Sequence, residues 1–130
     1  MKKMTLLINE ARKARHRAKA PYSRFKVGAA LESADGEVYA GCNIENASYG
    51  LTICAERVAL VKALSEGAKK FVNLAIVTNA KKLTPPCGAC RQLLWEYCGN
   101  IPVHMSNTRG KVQTLSLGDL LPLPFDKRSL

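Results

Sequence analysis

Five cysteines in 130 residues indicate metal binding or thiol chemistry. Because their number is odd and no secretory signal is recognisable, a disulfide framework explains them poorly. Cys87 and Cys90 form a Pro-Cys-x-x-Cys group at a predicted helix start, where their spacing places both sulfurs on one face. On its own, this pair fits a redox site as well as half of a structural zinc site. Cys42 and Cys98 lie in apolar stretches and are expected to be buried, reduced thiols, and the sequence assigns them no role.

Cys54 supplies the third ligand of a predicted zinc site. It also stands at a predicted helix start, where free backbone amides favour a thiolate. Glu56 follows two positions later, so a zinc ion held by three thiolates would face a carboxylate at its fourth position. Residues two apart inside a helix point in nearly opposite directions, so the pair can share a site only around the end of the first turn. The spacing therefore predicts an open zinc site, which is the catalytic kind.

Positive charge near this site is a requirement of the prediction. Three thiolates around one divalent ion leave a net negative centre, which weakens the ability of the ion to acidify water. Two helix N-termini and Arg57 can offset that charge. We expect Arg57 to donate a hydrogen bond to a ligand sulfur, with a plain surface or interface arginine as the alternative. Arg91, next to Cys90, is a further candidate for the same role.

The rest of the chain predicts the elements that position these residues. Helical periodicity predicts a first helix that Thr5 caps and that runs to about Lys19. From Phe25, apolar and polar residues alternate, and with a turn at Asp35-Gly36 this alternation predicts a hairpin. The second strand of this hairpin is expected at residues 37–42, and further strands at 72–78, 101–105 and 111–115. Helices are expected at 54–66, at 88–98 and after Ser116. This order predicts one domain over residues 1–130, a three-layer α/β/α sandwich around a mixed, five-stranded sheet.

The formal charge of +10 is concentrated near the N-terminus, where residues 1–26 hold nine Lys or Arg and one acid, Glu10. Such a segment can attract nucleic acid or an anionic membrane, but a solvated helix face explains it as simply. The lack of interleaved aromatic residues favours the solvated face. The longest N-terminal apolar stretch, residues 4–8, is too short for a signal peptide or a membrane span, so we expect a cytoplasmic protein without a membrane partner.

The segment Cys54-Ala55-Glu56, together with Pro86-Cys87-Gly88-Ala89-Cys90, resembles the signature of zinc-dependent nucleobase and nucleoside deaminases. Residues 20–30 and 41–47 are similar to the characteristic stretches of cytidine deaminases, and the all-cysteine ligand set resembles their small homotetrameric type. The resemblance covers nearly the whole chain. It implies one Zn²⁺ per subunit, a homotetramer, and hydrolysis of cytidine and deoxycytidine to uridine or deoxyuridine and ammonia, in pyrimidine salvage.

The resemblance also implies a proton shuttle. Glu56 would take a proton from the attacking water, protonate ring N3 after attack at C4 of cytosine, and help the amine leave as ammonia. Backbone amides at the two helix starts, those of Ala55 and Cys87, are expected to hold the attacking oxygen or the carbonyl of the base.

Substrate contacts are implied by the same resemblance. Asn43 and Glu45 would hydrogen-bond the ribose hydroxyls, and Phe25 would pack against the pyrimidine. Without the resemblance, Asn43 is read as a strand-end turn residue and Phe25 as a core aromatic. Phe125 would reach the site of a neighbouring subunit, with Tyr49 at the same junction, although Pro124 replaces a residue that is usually small.

Three other functions remain open from the sequence. A nucleic-acid editor would use the basic N-terminus to capture a base of RNA or single-stranded DNA. A deaminase of a cytosine-containing antibiotic would keep the chemistry, but it leaves the sugar motif of Asn43 and Glu45 unexplained. A structural zinc knot in an RNA-binding module would need a fourth ligand, and neither His16 nor His104 has suitable spacing.

Overall fold

The computed structural model describes residues 2–130, with Lys2 described by its backbone alone. The helices are α1 (Lys2–Arg15), α2 (Ala55–Ser65), α3 (Gly88–Cys98) and α4 (Leu117–Leu120). The strands are β1 (Gly28–Ser33), β2 (Val38–Cys42), β3 (Phe71–Thr78), β4 (Pro102–Asn107) and β5 (Val112–Ser116). Single 3₁₀ turns cover Tyr49–Leu51 and Lys127–Ser129.

The five strands form one mixed sheet in the order β2-β1-β3-β4-β5. Strands β3 and β4 are parallel, and the other neighbours are antiparallel. The parallel pair needs a long crossover, and α3 lies within it. The predicted α/β fold with a five-stranded mixed sheet flanked by helices is confirmed.

Helices cover both faces of the sheet because the central strands carry apolar residues on both sides. Ala30, Ala75 and Val77 pack against the buried stripe of α1 on one face. On the opposite face, alternate residues of β1, β3 and β4 pack against α2 and α3 in the larger core cluster. Successive residues of a strand point to opposite faces, as expected from its period of two. Because both faces are covered by helices, both sets of residues are apolar, and the sequence of β3 is nearly continuously apolar.

The first helix differs from its prediction at both ends. It already includes Lys2, so Thr5 lies inside the helix and is not its cap. It ends at Arg15 and not at Lys19, because the Lys19 backbone pairs with the segment after β2. The Lys19 N–H donates to the Asn43 carbonyl at 2.9 Å, and its carbonyl accepts from the Glu45 N–H at 2.8 Å. The predicted apolar stripe is confirmed, since Leu7, Ala11, Ala14 and Ala18 are buried.

Strand β1 begins at Gly28, three residues after the predicted start at Phe25. At Gly28 the strand passes so close to α1 that a Cβ atom would lie 1.9 Å from the Ala11 carbonyl oxygen. The close approach requires glycine and fixes the place where the sheet starts. Phe25 therefore lies on the preceding loop, outside the sheet.

The remaining boundaries agree with their predictions to within two residues. Ser116 caps α4 as predicted: its Oγ accepts from the Asp119 N–H at 3.1 Å, and its own N–H donates to the Asp119 carboxylate at 3.3 Å. None of the helices in residues 2–130 has the length and apolar character needed to cross a membrane.

Candidate metal centre and substrate cavity

The predicted site residues meet at one edge of the sheet. Strand β1 begins there and strands β2 and β3 end there, since Gly28 pairs with both Cys42 and Val77. Helices α2 and α3 start at the same edge, so their positive N-terminal ends converge on it. A cavity of about 240 Å³ opens there. It is lined by Ser23, Phe25, Val27, Asn43, Glu45, Thr52, Cys54, Ala55, Glu56, Ile76, Thr84, Pro85 and Cys87.

Three of the five thiols form a cluster beside this cavity, which Cys54 and Cys87 line. Cys54 and Cys87 are the N-cap residues of α2 and α3, and Cys90 lies in the first turn of α3. Their sulfur atoms all lie within 4.8 Å of one another, and all five cysteines are free of disulfides. Because Cys54 adopts the extended backbone of a cap, it can share a site with Glu56 at the second helical position. Cys54 and Glu56 therefore lie at the start of α2, where the sequence analysis placed them.

The donor set fits zinc. At a Zn–S bond length of about 2.3 Å, two sulfurs of a tetrahedral site lie about 3.8 Å apart. Cys54 Sγ and Cys87 Sγ lie 3.6 Å apart. Cys87 is exposed, Cys54 half-buried and Cys90 buried, so the cluster extends from the cavity wall into the protein interior. Three protein ligands would leave the fourth position of a zinc ion open, as catalytic zinc requires.

Crowding of the thiols perturbs their titration. A hydrogen bond from the Cys90 thiol is the main cause that lowers the pKa of Cys54 to about 6, with smaller contributions from Cys87 and the positive charge of Arg57. The same hydrogen bond, together with burial, raises the pKa of Cys90. The Cys54 thiolate therefore forms easily while the Cys90 thiol resists ionisation. A bound divalent cation provides the charge that all three need to ionise together.

Glu56 is the buried acid of the site, with 4% of its surface exposed. Burial raises the pKa of its carboxyl group to about 7, against hydrogen bonds from backbone amides, including that of Cys87. A carboxyl group with this pKa can both accept and release a proton near neutral pH. Ala55, which the sequence analysis selected for its backbone amide, is fully buried and also lines the cavity. Its N–H is among the first amides of α2, which have no intrahelical acceptor.

The two arginines next to the cluster have different surroundings. The Nε of Arg57 is buried and has no hydrogen-bond partner within residues 2–130. Its predicted hydrogen bond to a ligand sulfur stays a prediction. Arg91 instead binds backbone: its Nε donates to the Pro86 carbonyl at 2.7 Å and its Nη1 to the Leu120 carbonyl at 2.8 Å. It holds the residue before Cys87 and ties the C-terminal segment to α3.

Asn43 fastens the loop that carries Phe25. Its Oδ1 accepts from the Val27 N–H at 2.9 Å, and its Nδ2 donates to the Phe25 carbonyl at 2.8 Å. The side chain is buried at 8% exposure, directly after β2. Phe25 keeps 36% of its surface exposed at the cavity wall. Asn43 thus shapes the cavity through the backbone on either side of Lys26.

Glu45 fastens the preceding part of the same loop. Its Oε1 accepts from the N–H groups of Tyr22 and Ser23 at 2.9 and 3.1 Å, and its Oε2 accepts from the Ser23 hydroxyl. The Ser23 hydroxyl bond is the largest cause that lowers the pKa of the Glu45 carboxyl below its usual value. Glu45 is consequently an anion at the mouth of the cavity.

Phe125 does not line the cavity of its own chain. It lies on the C-terminal segment with 64% of its surface exposed, and its carbonyl accepts from Gln92 Nε2 at 2.5 Å. Asp126, the next residue, accepts from Trp95 Nε1 at 3.0 Å. The segment is therefore anchored on α3 while the Phe125 side chain stays largely exposed. Tyr49 is 75% exposed and meets the Tyr22 ring edge-on at 6.0 Å between centroids.

Several contacts that shape the site have no motif in the sequence. They are made by Ser23, by Gly41 and by Arg91, which was considered only as a donor to a ligand sulfur. Gly41 lets β2 approach α2 so closely that a Cβ atom would lie 2.6 Å from the Ala59 nitrogen. The partners of Arg91 lie five and 29 residues away along the chain. A glycine inside a strand was the one available signal of such close approach.

Comparison with known proteins agrees with this geometry. The zinc-binding region of cytidine and deoxycytidylate deaminases matches residues 1–105. The chain belongs to the cytidine and deoxycytidylate deaminase family. A cytidine deaminase of Halalkalibacterium halodurans is 53% identical over 121 residues, which cover 92% of each chain. That of Sporosarcina psychrophila is 48% identical over 125 residues, 95% of this chain and 92% of the relative.

Solved structures of the family share the fold. The crystal structure of cytidine deaminase from Burkholderia pseudomallei superimposes with a TM-score of 0.91 at 49% identity, covering 93% of this chain and 98% of the other. Together with the geometry of the three thiols, family membership identifies zinc as the metal of the cluster of Cys54, Cys87 and Cys90. Cys42 and Cys98 lie outside this cluster and are partly buried, less deeply than expected. Burial raises the pKa of the Cys98 thiol to about 12.

Proposed function

We propose that the chain hydrolyses cytidine and deoxycytidine to uridine or deoxyuridine and ammonia, as a cytoplasmic enzyme of pyrimidine salvage. The observation that carries the proposal is the buried Glu56 carboxyl beside a three-thiol zinc cluster, in one cavity with Phe25 and Asn43. That combination supplies an acid and base group, three ligands that would hold zinc with one position open, and an aromatic wall for a pyrimidine.

The chemistry divides between the metal and the chain. When bound by Cys54, Cys87 and Cys90, zinc supplies the Lewis acidity that activates an attacking water. Glu56 accepts the proton of that water, delivers a proton to N3 of the ring and assists the departure of ammonia. The backbone amide of Ala55, at the start of α2, donates to an oxygen atom that gains negative charge during the reaction. The Cys87 amide, expected to do the same, instead holds the Glu56 carboxyl group.

Asn43 and Glu45 can bind the sugar while they keep their hydrogen bonds to the loop. An amide side chain offers two N–H donors and two lone pairs, and Asn43 uses one of each. A carboxylate offers about four acceptor positions, and Glu45 uses three of them. Each residue therefore retains capacity to bind a ribose hydroxyl while it keeps the loop in place.

The proposed assembly is a homotetramer with one zinc per subunit, in which Phe125 and Tyr49 meet the site of a neighbouring subunit. Several exposed apolar side chains support an interface, and Leu123 is 98% exposed next to Phe125. Sedimentation equilibrium should give four chains per particle. Phe125→Ala should raise KM for cytidine in the assembled protein, and a monomeric, fully active wild type would refute the assembly.

A direct assay tests the function and its main alternative together. Purified protein is incubated with cytidine, deoxycytidine, cytosine and a cytosine-containing oligonucleotide, while ammonia release and bound zinc are measured. We expect turnover of the two nucleosides only. Deamination of the oligonucleotide in a salt-sensitive manner would favour the nucleic-acid editor, and zinc-loaded protein that turns over neither nucleoside would refute the proposal.

A further inference from the structure

Ser23 connects two residues to which the proposed function gives substrate contacts. Its hydroxyl donates to Glu45 Oε2, and its N–H donates to Glu45 Oε1 at 3.1 Å. The same hydroxyl oxygen accepts from the Phe25 N–H at 3.0 Å. Within residues 2–130, Ser23 is the one side chain hydrogen-bonded to both of these residues. It also lines the cavity itself.

We propose that Ser23 is a positioning residue, which holds the Glu45 carboxylate in the orientation that accepts a hydrogen bond from a sugar hydroxyl. This inference rests on the proposed function. Ser23 sets the specificity for the sugar, although it needs no contact with the substrate to do so.

The direction of the hydroxyl proton follows from the donors around it. A serine hydroxyl has one proton and two lone pairs, and the Phe25 N–H occupies one lone pair. Its own proton is therefore free for Glu45, which has acceptors only when ionised. The loop thus places the hydroxyl so that it fixes one carboxylate oxygen, while the Ser23 and Tyr22 amides fix the other.

Without the hydroxyl, the Glu45 side chain would regain rotational freedom at the cavity mouth. The two backbone amides would still hold Oε1, but Oε2 would have no partner from the chain. Side chains with several rotatable bonds lose considerable entropy when a ligand orders them, so a pre-ordered carboxylate binds better. These hydrogen bonds are exposed, and we expect their loss to affect sugar binding more than folding.

The test measures kcat and KM of Ser23→Ala with cytidine and with 2′,3′-dideoxycytidine, which lacks the sugar hydroxyls. We expect kcat/KM for cytidine to fall about tenfold, mainly through KM, as for one lost hydrogen bond to a charged group. For the dideoxy substrate the fall should be less than twofold, because the contact is already missing. Ser23→Thr keeps a hydroxyl and should restore discrimination. Ser65→Ala, at an exposed serine in the last turn of α2, is the matched control.

Each outcome decides the inference. An equal loss on both substrates, or no loss on either, would overturn it, because a general effect on the loop does not depend on the sugar. If Ser23→Ala does not fold, Ser23→Cys replaces it with weaker hydrogen bonds and a similar shape, and must show the same dependence on the sugar. A wild type without nucleoside turnover would instead refute the proposed function.

Discussion

The two walls of the cavity are built by different means. The metal wall, formed by Cys54, Glu56, Cys87 and Cys90, stands on the N-terminal turns of two helices. The loop wall, formed by Ser23, Phe25, Asn43 and Glu45, stands on irregular backbone held by side chain to backbone hydrogen bonds. The buried acid, Glu56, belongs to the first wall and the exposed aromatic, Phe25, to the second.

This difference separates two kinds of effect on catalysis. Groups on packed helices are fixed by burial, so they can be placed accurately against atoms that change charge in the reaction. Groups on a hydrogen-bonded loop give shape and donors to the substrate throughout the reaction. We therefore expect changes in the metal wall to act mainly on kcat and changes in the loop wall mainly on KM.

The largest effect is expected from removal of a buried ligand. Cys90→Ala should lose zinc and reduce nucleoside turnover below detection. A metal held at 100 times its Kd stabilises the folded state by about 2.7 kcal/mol, so the melting temperature should fall by roughly 10 °C. Zinc content and thermal unfolding measure both effects. Cys42→Ala, at a thiol outside the cluster, should retain zinc; equal zinc content in both variants would remove Cys90 from the ligand set.

Glu56→Gln should sharpen the comparison by separating metal binding from proton transfer. The amide keeps the size of the side chain but cannot accept a proton, so kcat should fall by about 10³-fold or more. Zinc content and the KM for cytidine should change little. Near-normal turnover in the zinc-loaded variant would show that another group transfers the proton.

The metal wall was predictable from the sequence because each of its two halves is a local pattern. The three-residue spacing places Cys87 and Cys90 on one face of a helix start, and helix periodicity with a glycine stop located α2 behind Cys54. That the halves meet across 33 residues followed from the ligand chemistry of zinc and not from the spacing. Family resemblance then supplied the substrate side. What remained was whether Cys54 and Glu56 share one site, and the extended cap conformation of Cys54 allows it.

The loop wall was predictable only by resemblance, since its bonds join distant positions. Asn43 contacts backbone groups 16 and 18 residues away, and Glu45 contacts Ser23 across 22 residues. No local pattern reveals such pairs. The predicted end of α1 was wrong for the same reason. Helical periodicity continues to Lys19, but the backbone there is already paired with the segment after β2.

Asn43→Ala tests whether the loop wall acts through substrate binding. The variant loses two hydrogen bonds to buried or partly buried backbone and one proposed sugar contact, so KM for cytidine should rise by about 10- to 100-fold. The free energy of unfolding should decrease by about 1–3 kcal/mol. Asn100→Ala, which loses one exposed hydrogen bond to Gly118, is the matched control. A fall in kcat without a rise in KM would contradict the expectation that the loop wall acts mainly on KM.

The smallest effect is expected outside both walls, at His104 on the opposite face of the sheet. Its Nε2 lies 2.8 Å from Asn73 Oδ1 and its Nδ1 lies 2.8 Å from Thr114 Oγ1. Asn73 Nδ2 donates to the Glu32 carboxylate at 3.0 Å, which leaves Oδ1 as the group facing the histidine. Nε2 must then donate to it and carries a proton in this arrangement.

Burial lowers the pKa of His104 below its usual 6.5, although the negative charge of Glu32 opposes the shift. The unfolded chain then binds a proton more readily than the folded one, so this contribution to stability is complete above about pH 6.5 and decreases as the pH falls through the lowered value. His104→Gln should cost about 1 kcal/mol at pH 7 through poorer hydrogen bonding, and should flatten the loss of stability between pH 7 and pH 5. Urea unfolding at both pH values measures this, with His16→Gln at an exposed position as the control.

Because His104 touches neither wall, kcat and KM at pH 7 should stay within twofold of the wild type, and a larger change would mean that the sheet transmits strain to the cavity.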